Sequence, residues 1–208
     1  AEIIQNQDVF SLNLTISNLS TEDVDNFAAS LNINVNDTLF GSYDLPQILA
    51  SSSLDYSVNL GSFPSGLYNV FIQVNFIYDN NLENNSALTS FLMGTSPLIL
   101  NEILFKPSET NQEWLEIFNR STRGYYVDNF VIFDASGGEI RFSGYLSASD
   151  FAVVCSDSIL LLEKYPQTET NKIIQADSWT SLNNTSETLR LTDNCGTVLD
   201  SIYYEGGI

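Results

Sequence analysis

Apolar and polar side chains alternate along four segments in the first half of the chain. Within residues 10–16, Phe, Leu, Leu and Ile occupy every second position, and Ser, Asn and Thr fill the positions between them. The same period of two recurs within residues 27–35, 54–60 and 68–78. Because neighbouring side chains of an extended strand point to opposite faces, this period places the apolar side chains of a segment on one face. We therefore predict four β-strands, each with one buried face.

Strands also dominate the second half, although their apolar side chains alternate less strictly. Residues 98–104 and 114–119 are apolar runs of strand length, and we expect Trp114 in the second run to pack either in the core or on the sheet surface. Residues 127–134 are apolar at both odd and even positions, which predicts a central strand with both faces covered. Residues 151–155 predict one more strand.

The end of the chain contains one helix signal and one hairpin signal. Residues 158–165 read SILLLEKY and predict a short helix that stops before Pro166, because proline cannot continue the hydrogen bonding of a helix. Residues 181–204 contain two apolar segments around the turn-forming sequence Asp-Asn-Cys-Gly at 193–196, which predicts a closing β-hairpin. Short strands separated by turns, with so little helix, are typical of antiparallel β-sandwiches.

A break in composition divides the chain in two. Residues 93–97 read MGTSP, a run of small and turn-favouring residues that interrupts the strand pattern. All seven Lys and Arg residues follow residue 100. We predict a domain boundary at this break, with one domain at 1–95 and a second at 96–208. A hydrophobic content of 43% is enough for each domain to form its own core.

Two parts of the second domain resemble a known family. Residues 98–119, LILNEILFKPSETNQEWLEIFN, are similar to the start of a bacterial lamin-tail domain, and the hairpin at 181–204 is similar to the end of that domain. The resemblance implies an immunoglobulin-like β-sandwich. It implies an architecture more than an activity, because such sandwiches carry unrelated functions.

The first domain resembles a different module. The acidic, Asn-rich loop at 78–86, YDNNLENNS, is similar to a loop of the cell-adhesion-related domain found in bacteria. Asn18, in the sequence TISNLS, matches the asparagine at which a strand of that family passes into a loop. Residues 1–5 either form a short edge strand or leave the module trimmed. The two resemblances imply an all-β chain of two tandem immunoglobulin-like β-sandwiches, an adhesion-type module at 1–95 and a lamin-tail module at 96–208.

The charge of the chain disfavours some partners. The 26 acidic and 7 basic residues give a formal net charge of −19, and residues 1–97 contain no Lys or Arg. A field of this sign repels phosphate backbones, so nucleic acid is an unfavourable partner. No apolar stretch approaches the roughly 18 residues of a membrane span, and the N-terminus lacks the basic segment of a secretory signal. The resemblances imply an extracellular or cell-surface location.

Catalysis is not expected from this sequence. The chain contains no His, and neither cysteine has a basic neighbour in sequence, so no activated nucleophile can be assembled. Glu102 and Glu116 are candidates for a glycosidase-like acid and base, but packed strands seldom hold two carboxyl groups across a cleft. We expect instead that these carboxylates lie at a sheet edge or accept hydrogen bonds from Arg141 or Arg190.

Cys155 and Cys195 leave two alternatives open. In an exported protein, two cysteines on neighbouring strands often form a disulfide. The other alternative is a pair of small, buried hydrophobic side chains. A zinc site is not expected, because the chain has two cysteines and no His.

The loops supply few candidates for ligand binding. Hard oxygen ligands lie in or near acidic loops at Asp79, Glu83, Asp193 and Asp200. Their spacing does not match a calcium-binding loop, so we predict no metal and no cofactor. Trp179 lies in the loop-like sequence DSWTS at 177–181. We predict it as a contact for a ligand, because an exposed indole can stack on a sugar.

These observations predict tandem immunoglobulin-like spacer and binding modules, without catalytic activity, in a larger exported or cell-surface bacterial protein. A protein or a surface glycan is the expected class of partner. The alternative is that both modules are accessory domains that position a separate hydrolase domain, of nuclease or phosphoesterase type, outside this chain. Bacterial lamin-tail domains are often attached to such enzymes, so the resemblance implies this alternative as well.

Overall fold

The computed structural model describes residues 1–6, 9–108 and 111–206 of the chain. The chain divides into two compact units, Ala1–Gly94 and Thr95–Ile208, and the division falls inside the MGTSP segment. Strands dominate both units, so the prediction of an all-β chain is confirmed. Within the described ranges, no helix is both long and apolar enough to cross a membrane.

Seven strands make up the described part of the first unit. They are β1 (Glu2–Asn6), β2 (Val9–Asn18), β3 (Ala29–Val35), β4 (Thr38–Asp44), β5 (Ser52–Gly61), β6 (Gly66–Phe76) and β7 (Ser86–Met93), with a 3-10 turn at Leu82–Asn84. One sheet has the strand order β1-β2-β5 and the other the order β4-β3-β6-β7. Leu12 of the first sheet and Leu31 of the second are fully buried and belong to the same apolar cluster. The core of this unit therefore contains side chains from both sheets.

The predicted alternation of the first half is confirmed along most of its length. In β2, Phe10, Leu12 and Leu14 are buried and the polar side chains between them are partly exposed. β1 pairs with β2, so residues 1–5 do contribute an edge strand. The prediction for Phe27 is wrong, because β3 starts at Ala29 and Phe27 is 73% exposed. Its positive φ of 64° turns the backbone before the strand begins and takes its side chain off the buried face.

The second unit contains ten strands and one α-helix in the residues that the structure describes. They are β8 (Leu98–Leu104), β9 (Trp114–Asn119), β10 (Tyr125–Tyr126), β11 (Phe130–Phe133), β12 (Glu139–Phe142), β13 (Tyr145–Leu146), β14 (Asp150–Cys155), α1 (Ser158–Lys164), β15 (Ile173–Gln175), β16 (Ser186–Thr192) and β17 (Val198–Glu205), with a 3-10 turn at Thr170–Lys172. The sheets have the orders β15-β14-β9-β8, β12-β11-β16-β17 and β10-β13. Residues 109–110, in the loop that we compared with the lamin-tail signature, lie outside the described residues.

Several predictions for the second unit are confirmed. The helix runs from Ser158 to Lys164 and stops before Pro166, and β16 and β17 form the closing hairpin. The central strand is shorter than predicted, Phe130–Phe133, but it has a hydrogen-bonded neighbour on each side.

The strand order of the first unit recurs in the second. The order β1-β2-β5 matches β8-β9-β14, and β4-β3-β6-β7 matches β12-β11-β16-β17 when strands are compared in chain order. The second unit adds the short β15, which runs parallel to β14, and the β10-β13 pair. Both units therefore have the same connectivity between their two larger sheets.

A buried asparagine ends the second strand of this shared pattern and fixes the loop that follows. In the second unit it is Asn119, whose side chain is fully buried. Its Nδ2 donates to the backbone oxygens of Arg123 (2.8 Å), Leu146 (3.4 Å) and Ser147 (2.8 Å). Its Oδ1 accepts from the backbone N–H (3.0 Å) and the hydroxyl (2.8 Å) of Ser121. One side chain therefore satisfies backbone groups from two loops that are distant in sequence.

The first unit repeats this arrangement at Asn18. Its Nδ2 donates to the backbone oxygens of Glu22 (2.8 Å), Ile48 (3.1 Å) and Leu49 (3.2 Å). Its Oδ1 accepts from the N–H (3.1 Å) and the hydroxyl (2.8 Å) of Ser20. We call each of these two sites an asparagine corner.

The loop that faces each asparagine corner repeats as well. Ser51 and Ser149 both have a positive φ, 51° and 53°. Their N–H groups donate to the backbone oxygens of Ser20 (3.0 Å) and Ser121 (2.9 Å), respectively. The corners are thus alike in their backbone conformation and in their hydrogen bonds.

Candidate functional site

One face of the sheet β15-β14-β9-β8 is lined by aromatic and polar side chains. β9 buries Leu115 and Ile117 on one side, so Trp114, Glu116 and Phe118 project from the other. The register pairs Phe118 with Phe151 of β14 and Glu116 with Val153 of β14. The segment from α1 to the 3-10 turn at Thr170–Lys172 lies over this side of the sheet and leaves a cavity of about 600 Å³ between them.

We call this cavity the groove. Its sheet side consists of Trp114, Glu116, Phe151 and Val153, and its other side is formed by Leu161, Lys164, residues 165–169 and Lys172. The volume is within the usual range for small-molecule sites.

Polar contacts hold the start of α1 in place beside the sheet. The Asp157 carboxylate caps the helix by accepting from the N–H groups of Ile159 (2.9 Å) and Leu160 (3.1 Å). Gln112, just before β9, accepts from the N–H of Asp157 (3.0 Å). Gln175 of β15 accepts from the hydroxyl of Ser158 (2.7 Å). These contacts fix one wall of the groove to the strands that form the other.

Two aromatic rings meet at right angles inside the groove. The ring planes of Trp114 and Tyr165 differ by 89°, and their centres are 6.4 Å apart. The Tyr165 hydroxyl accepts from the Asn111 side chain (2.8 Å), and its backbone N–H donates to the oxygen of Leu161 (2.8 Å). The ring of Phe151 is 42% exposed and completes the apolar lining.

Charged side chains lie at the rim of the groove. The Lys172 ammonium is 2.8 Å from the Asp150 carboxylate and 4.7 Å from the centre of the Phe151 ring. The hydrogen bond between Lys172 and Asp150 lowers the pKa of Asp150 and raises the pKa of Lys172. The stabilisation linked to Asp150 is therefore present above its unfolded-state pKa and is lost as the pH falls through the lowered value.

Trp114 packs on the surface of the sheet and not in the core, which is one of the two expected alternatives. Its ring is only partly buried, because Trp114 projects from β9 on the side opposite Leu115 and Ile117. Its Nε1 is nevertheless buried and has no hydrogen-bond partner among the described residues.

Trp179, the predicted ligand contact, does not line the groove. Its ring is partly buried, and its Nε1–H donates to the Glu113 carboxylate (3.1 Å). The same carboxylate accepts from the N–H of Leu182 (3.1 Å). The structure thus gives Trp179 a contact that anchors its loop, and binding of a ligand by its ring stays a prediction.

Glu102 and Glu116 are partners in the β8–β9 ladder, next to an irregularity after Leu100. Glu102 lies on β8, an edge strand of its sheet, which is one of the two expected alternatives. Glu116 lies on the inner strand β9, and its carboxylate accepts from Asn101 Nδ2 (2.7 Å), so the expected arginine contact is wrong for Glu116. Arg141 pairs with Glu139 at 2.8 Å, and Arg190 lies over the ring of Phe133, 5.6 Å from its centre. The pair lies on one sheet and does not face across the groove.

The structure does not join the thiols of Cys155 and Cys195. Cys155 is fully buried at the end of β14, opposite Trp114, whereas Cys195 lies in the turn between β16 and β17 and is partly exposed. Burial raises the pKa of the Cys155 thiol to about 11. Cys155 therefore fits the alternative of a small buried hydrophobic side chain.

We expect native chain treated with iodoacetamide at pH 8 to gain one adduct, on Cys195. Cys155 should react only after denaturation, because its thiolate is scarce at this pH and its sulfur is buried. Mass spectrometry of the intact chain and its peptides measures both steps. A disulfide between the two cysteines would instead give no adduct until a reductant is added.

Three of the four acidic residues named for the loops use their carboxylates for backbone contacts. Asp79 accepts from the N–H of Asn81 (2.8 Å), and Asp200 accepts from the N–H of Leu100 (2.8 Å). The buried Asp193 accepts from the N–H groups of Cys195 (2.9 Å) and Thr197 (2.8 Å). Within residues 1–6, 9–108 and 111–206, no group of three or more acidic, His or Cys side chains is placed to hold a metal ion.

We expect EDTA to leave the melting temperature of the chain unchanged within about 1 °C, because Asp79, Asp193 and Asp200 already accept hydrogen bonds from backbone N–H groups. Calorimetry with and without EDTA, and with added calcium, measures this. A shift of many degrees in either direction would contradict the predicted absence of a metal site.

The sequence did not indicate the groove, although some signal was present. Residues 151–155 are apolar on both faces, as is much of 114–118, and a strand of that kind needs cover on both sides. Tyr165 and Lys172 line the groove because the helix and the turn after it pack against the sheet, and no local sequence pattern indicates this packing.

No protein-family model matches the chain, and no curated protein matches it. Among solved structures, it is similar to a DUF4876 family protein from Bacteroides thetaiotaomicron VPI-5482, with 15% identity over 86% of this chain and a TM-score of 0.32. It is also similar to a GH2 beta-galacturonidase from Eisenbergiella tayi, with 10% identity over 96% of this chain and a TM-score of 0.31. The chain spans 66% of the first structure and 34% of the second. Similarities at this level do not identify a family.

Proposed function

We propose that the chain consists of two tandem immunoglobulin-like β-sandwiches, an adhesion-type module at 1–95 and a lamin-tail module at 96–208. They act as spacer and binding modules, without catalytic activity, in a larger exported or cell-surface bacterial protein. The observation that carries this proposal is the strand order that the two units share. A chain whose successive strands pass between two sheets in this order is typical of immunoglobulin-like sandwiches.

The two asparagine corners support a repeat of one module. Asn18 and Asn119 end equivalent strands, make the same set of five hydrogen bonds, and face serines with the same positive φ. Both corners have the sequence Asn-x-Ser-Thr. Repetition of a self-contained folded unit is the construction expected of a spacer.

The side chains of the groove support binding. Half of its lining residues are aromatic or aliphatic, and its carboxylate Glu116 accepts a hydrogen bond from Asn101. A protein or surface glycan is the proposed class of partner, and the charge of −19 disfavours nucleic acid.

The reading frame that encodes the chain, together with activity assays on its full product, tests this proposal. We expect further immunoglobulin-like modules or a surface-anchoring segment beside it, and deletion of residues 1–208 should change partner binding without changing any hydrolysis rate. A neighbouring nuclease or phosphoesterase domain whose rate falls on that deletion would contradict the proposal and establish the accessory role. Hydrolysis by the isolated chain would contradict both.

A further inference from the structure

We propose that the groove binds a neutral sugar ring, presented as one residue of a glycan chain. The inference deepens the proposed function, since it gives the second unit a ligand class, and it rests on the second unit acting as a binding module. Four properties of the groove carry it: its perpendicular rings, its polar side chains, its negative charge and its fixed walls.

The rings of the groove match the apolar face of a sugar. Trp114 and Tyr165 are perpendicular, with centres 6.4 Å apart, and Phe151 is exposed beside them. Perpendicular rings form a corner that encloses one compact ring. An extended proline-rich peptide instead needs parallel aromatic ridges along an open surface. The shape of the lining therefore favours a sugar over such a peptide.

The polar groups of the groove match the hydroxyl edge of a sugar. Glu116 provides an acceptor on the sheet side of the lining, and Gln167 and Thr168 provide donors and acceptors on the opposite side. A hydroxyl both donates and accepts, so a sugar can pair with each of these groups.

The charge of the groove favours a neutral ligand. Two carboxylates, Glu116 and Glu169, and two ammonium groups, Lys164 and Lys172, lie in its lining. A third carboxylate, Asp150, pairs with Lys172 at the rim, so the formal charge at the groove is negative. The field of a chain with a net charge of −19 repels anions. An acidic sugar would therefore be disfavoured relative to a neutral one of the same shape.

The walls of the groove are fixed before any ligand arrives. Asp157, Gln112 and Gln175 hold the start of α1 to the strands, and the backbone N–H of Thr168 donates to Tyr165 (3.0 Å) in the turn after the helix. A site that needs little ordering loses less free energy on binding. This helps a weakly binding ligand such as a single sugar ring.

Titration of the full chain with maltotriose, cellotriose, mannotriose and chitotriose tests the proposal, with calorimetry and tryptophan fluorescence as readouts. We expect at least one of them to bind with a dissociation constant on the order of 0.1–10 mM. A glucuronate disaccharide and a decaproline peptide serve as comparison ligands and should bind at least about tenfold more weakly.

Variants locate the site. Tyr165→Ala should weaken binding about tenfold by removing one wall, and Trp114→Phe should weaken it about fivefold by replacing the indole with a smaller ring. Tyr145→Ala is the matched control: it removes a tyrosine ring of this unit that is 49% exposed and does not line the groove, so it should leave the affinity unchanged. Thermal unfolding of each variant confirms that it is folded.

Three results would overturn the inference. They are an absence of binding by all four oligosaccharides up to tens of millimolar, tighter binding of decaproline or of the glucuronate disaccharide, and a sugar affinity that responds to Tyr145→Ala but not to Tyr165→Ala. None of them bears on the flanking reading frame, so the proposed function can stand or fail separately.

Discussion

Replacement of Asn119 by Asp is expected to lower the free energy of unfolding of the second unit by about 4 kcal/mol or more. The side chains of Asn and Asp have nearly the same shape, but an ionised carboxylate cannot donate a hydrogen bond. Asn119 Nδ2 donates to three backbone oxygens, of Arg123, Leu146 and Ser147. The variant would hold a buried negative charge against three carbonyl dipoles that point their negative ends at it.

Tryptophan fluorescence during urea unfolding measures this effect in the full chain. Both tryptophans, Trp114 and Trp179, belong to the second unit, so their signal reports on that unit alone. The matched control is Asn18→Asp, which damages the equivalent corner of the first unit and should leave the tryptophan transition in place. Asn171→Asp, at an exposed position, should shift it by about 0.5 kcal/mol at most. A tryptophan transition that is unchanged in Asn119→Asp would show that the corner does not hold the second unit together.

The second large effect concerns the aromatic cluster of the first unit. Phe91 is 4% exposed, and its ring centre lies 4.3 Å from that of Phe10 and 5.2 Å from those of Phe63 and Tyr68. We expect Phe91→Ala to lower the free energy of unfolding of this unit by about 3–5 kcal/mol, because it leaves a cavity at a point where three rings meet.

Calorimetry of the full chain measures the loss, because the unfolding temperature of the first unit should fall. The unfolding transition of the second unit, followed by tryptophan fluorescence, should not change. Phe71→Ala is the matched control. Phe71 lies in β6, next to β7 of Phe91, but its side chain is 38% exposed, so the same truncation should cost under about 1 kcal/mol. Equal losses in the two variants would mean that the ring cluster does not form the core.

The strands were predictable because their signal is local. An alternation of apolar and polar side chains specifies both the strand and its buried face, as in β2, where Phe10, Leu12 and Leu14 are buried. The same rule failed at Phe27, where alternation continues in the sequence but the backbone turns before the strand starts. The alternation of side chains carries no information on the backbone φ at Phe27, which decides where the strand starts.

The candidate site was less predictable because it depends on pairings between distant segments. The sequence left Trp114 either in the core or on the sheet surface, and the pleat of β9 places it on the outer side with Glu116. The groove exists because residues 161–172 return over that side. A sequence pattern shows that β14 is apolar on both faces but not which segment covers the second face.

The hydrogen-bond partner of Glu116 was also not predictable from the sequence. Charge complementarity suggested an arginine as its partner, and the structure supplies Asn101 at 2.7 Å. The irregularity between Leu100 and Glu102 shifts the register of β8. Register is set along the whole ladder and cannot be read from the composition of one strand.

The asparagine corners also affect how a nascent chain can mature. The amide of Asn119 finds two of its acceptors in residues 27 and 28 positions further along the chain. A polypeptide that has emerged only as far as the loop after β9 must therefore leave this amide hydrated and its strand end open. Each unit should acquire protection from proteases abruptly, once the segment carrying those acceptors has left the ribosome, and not strand by strand.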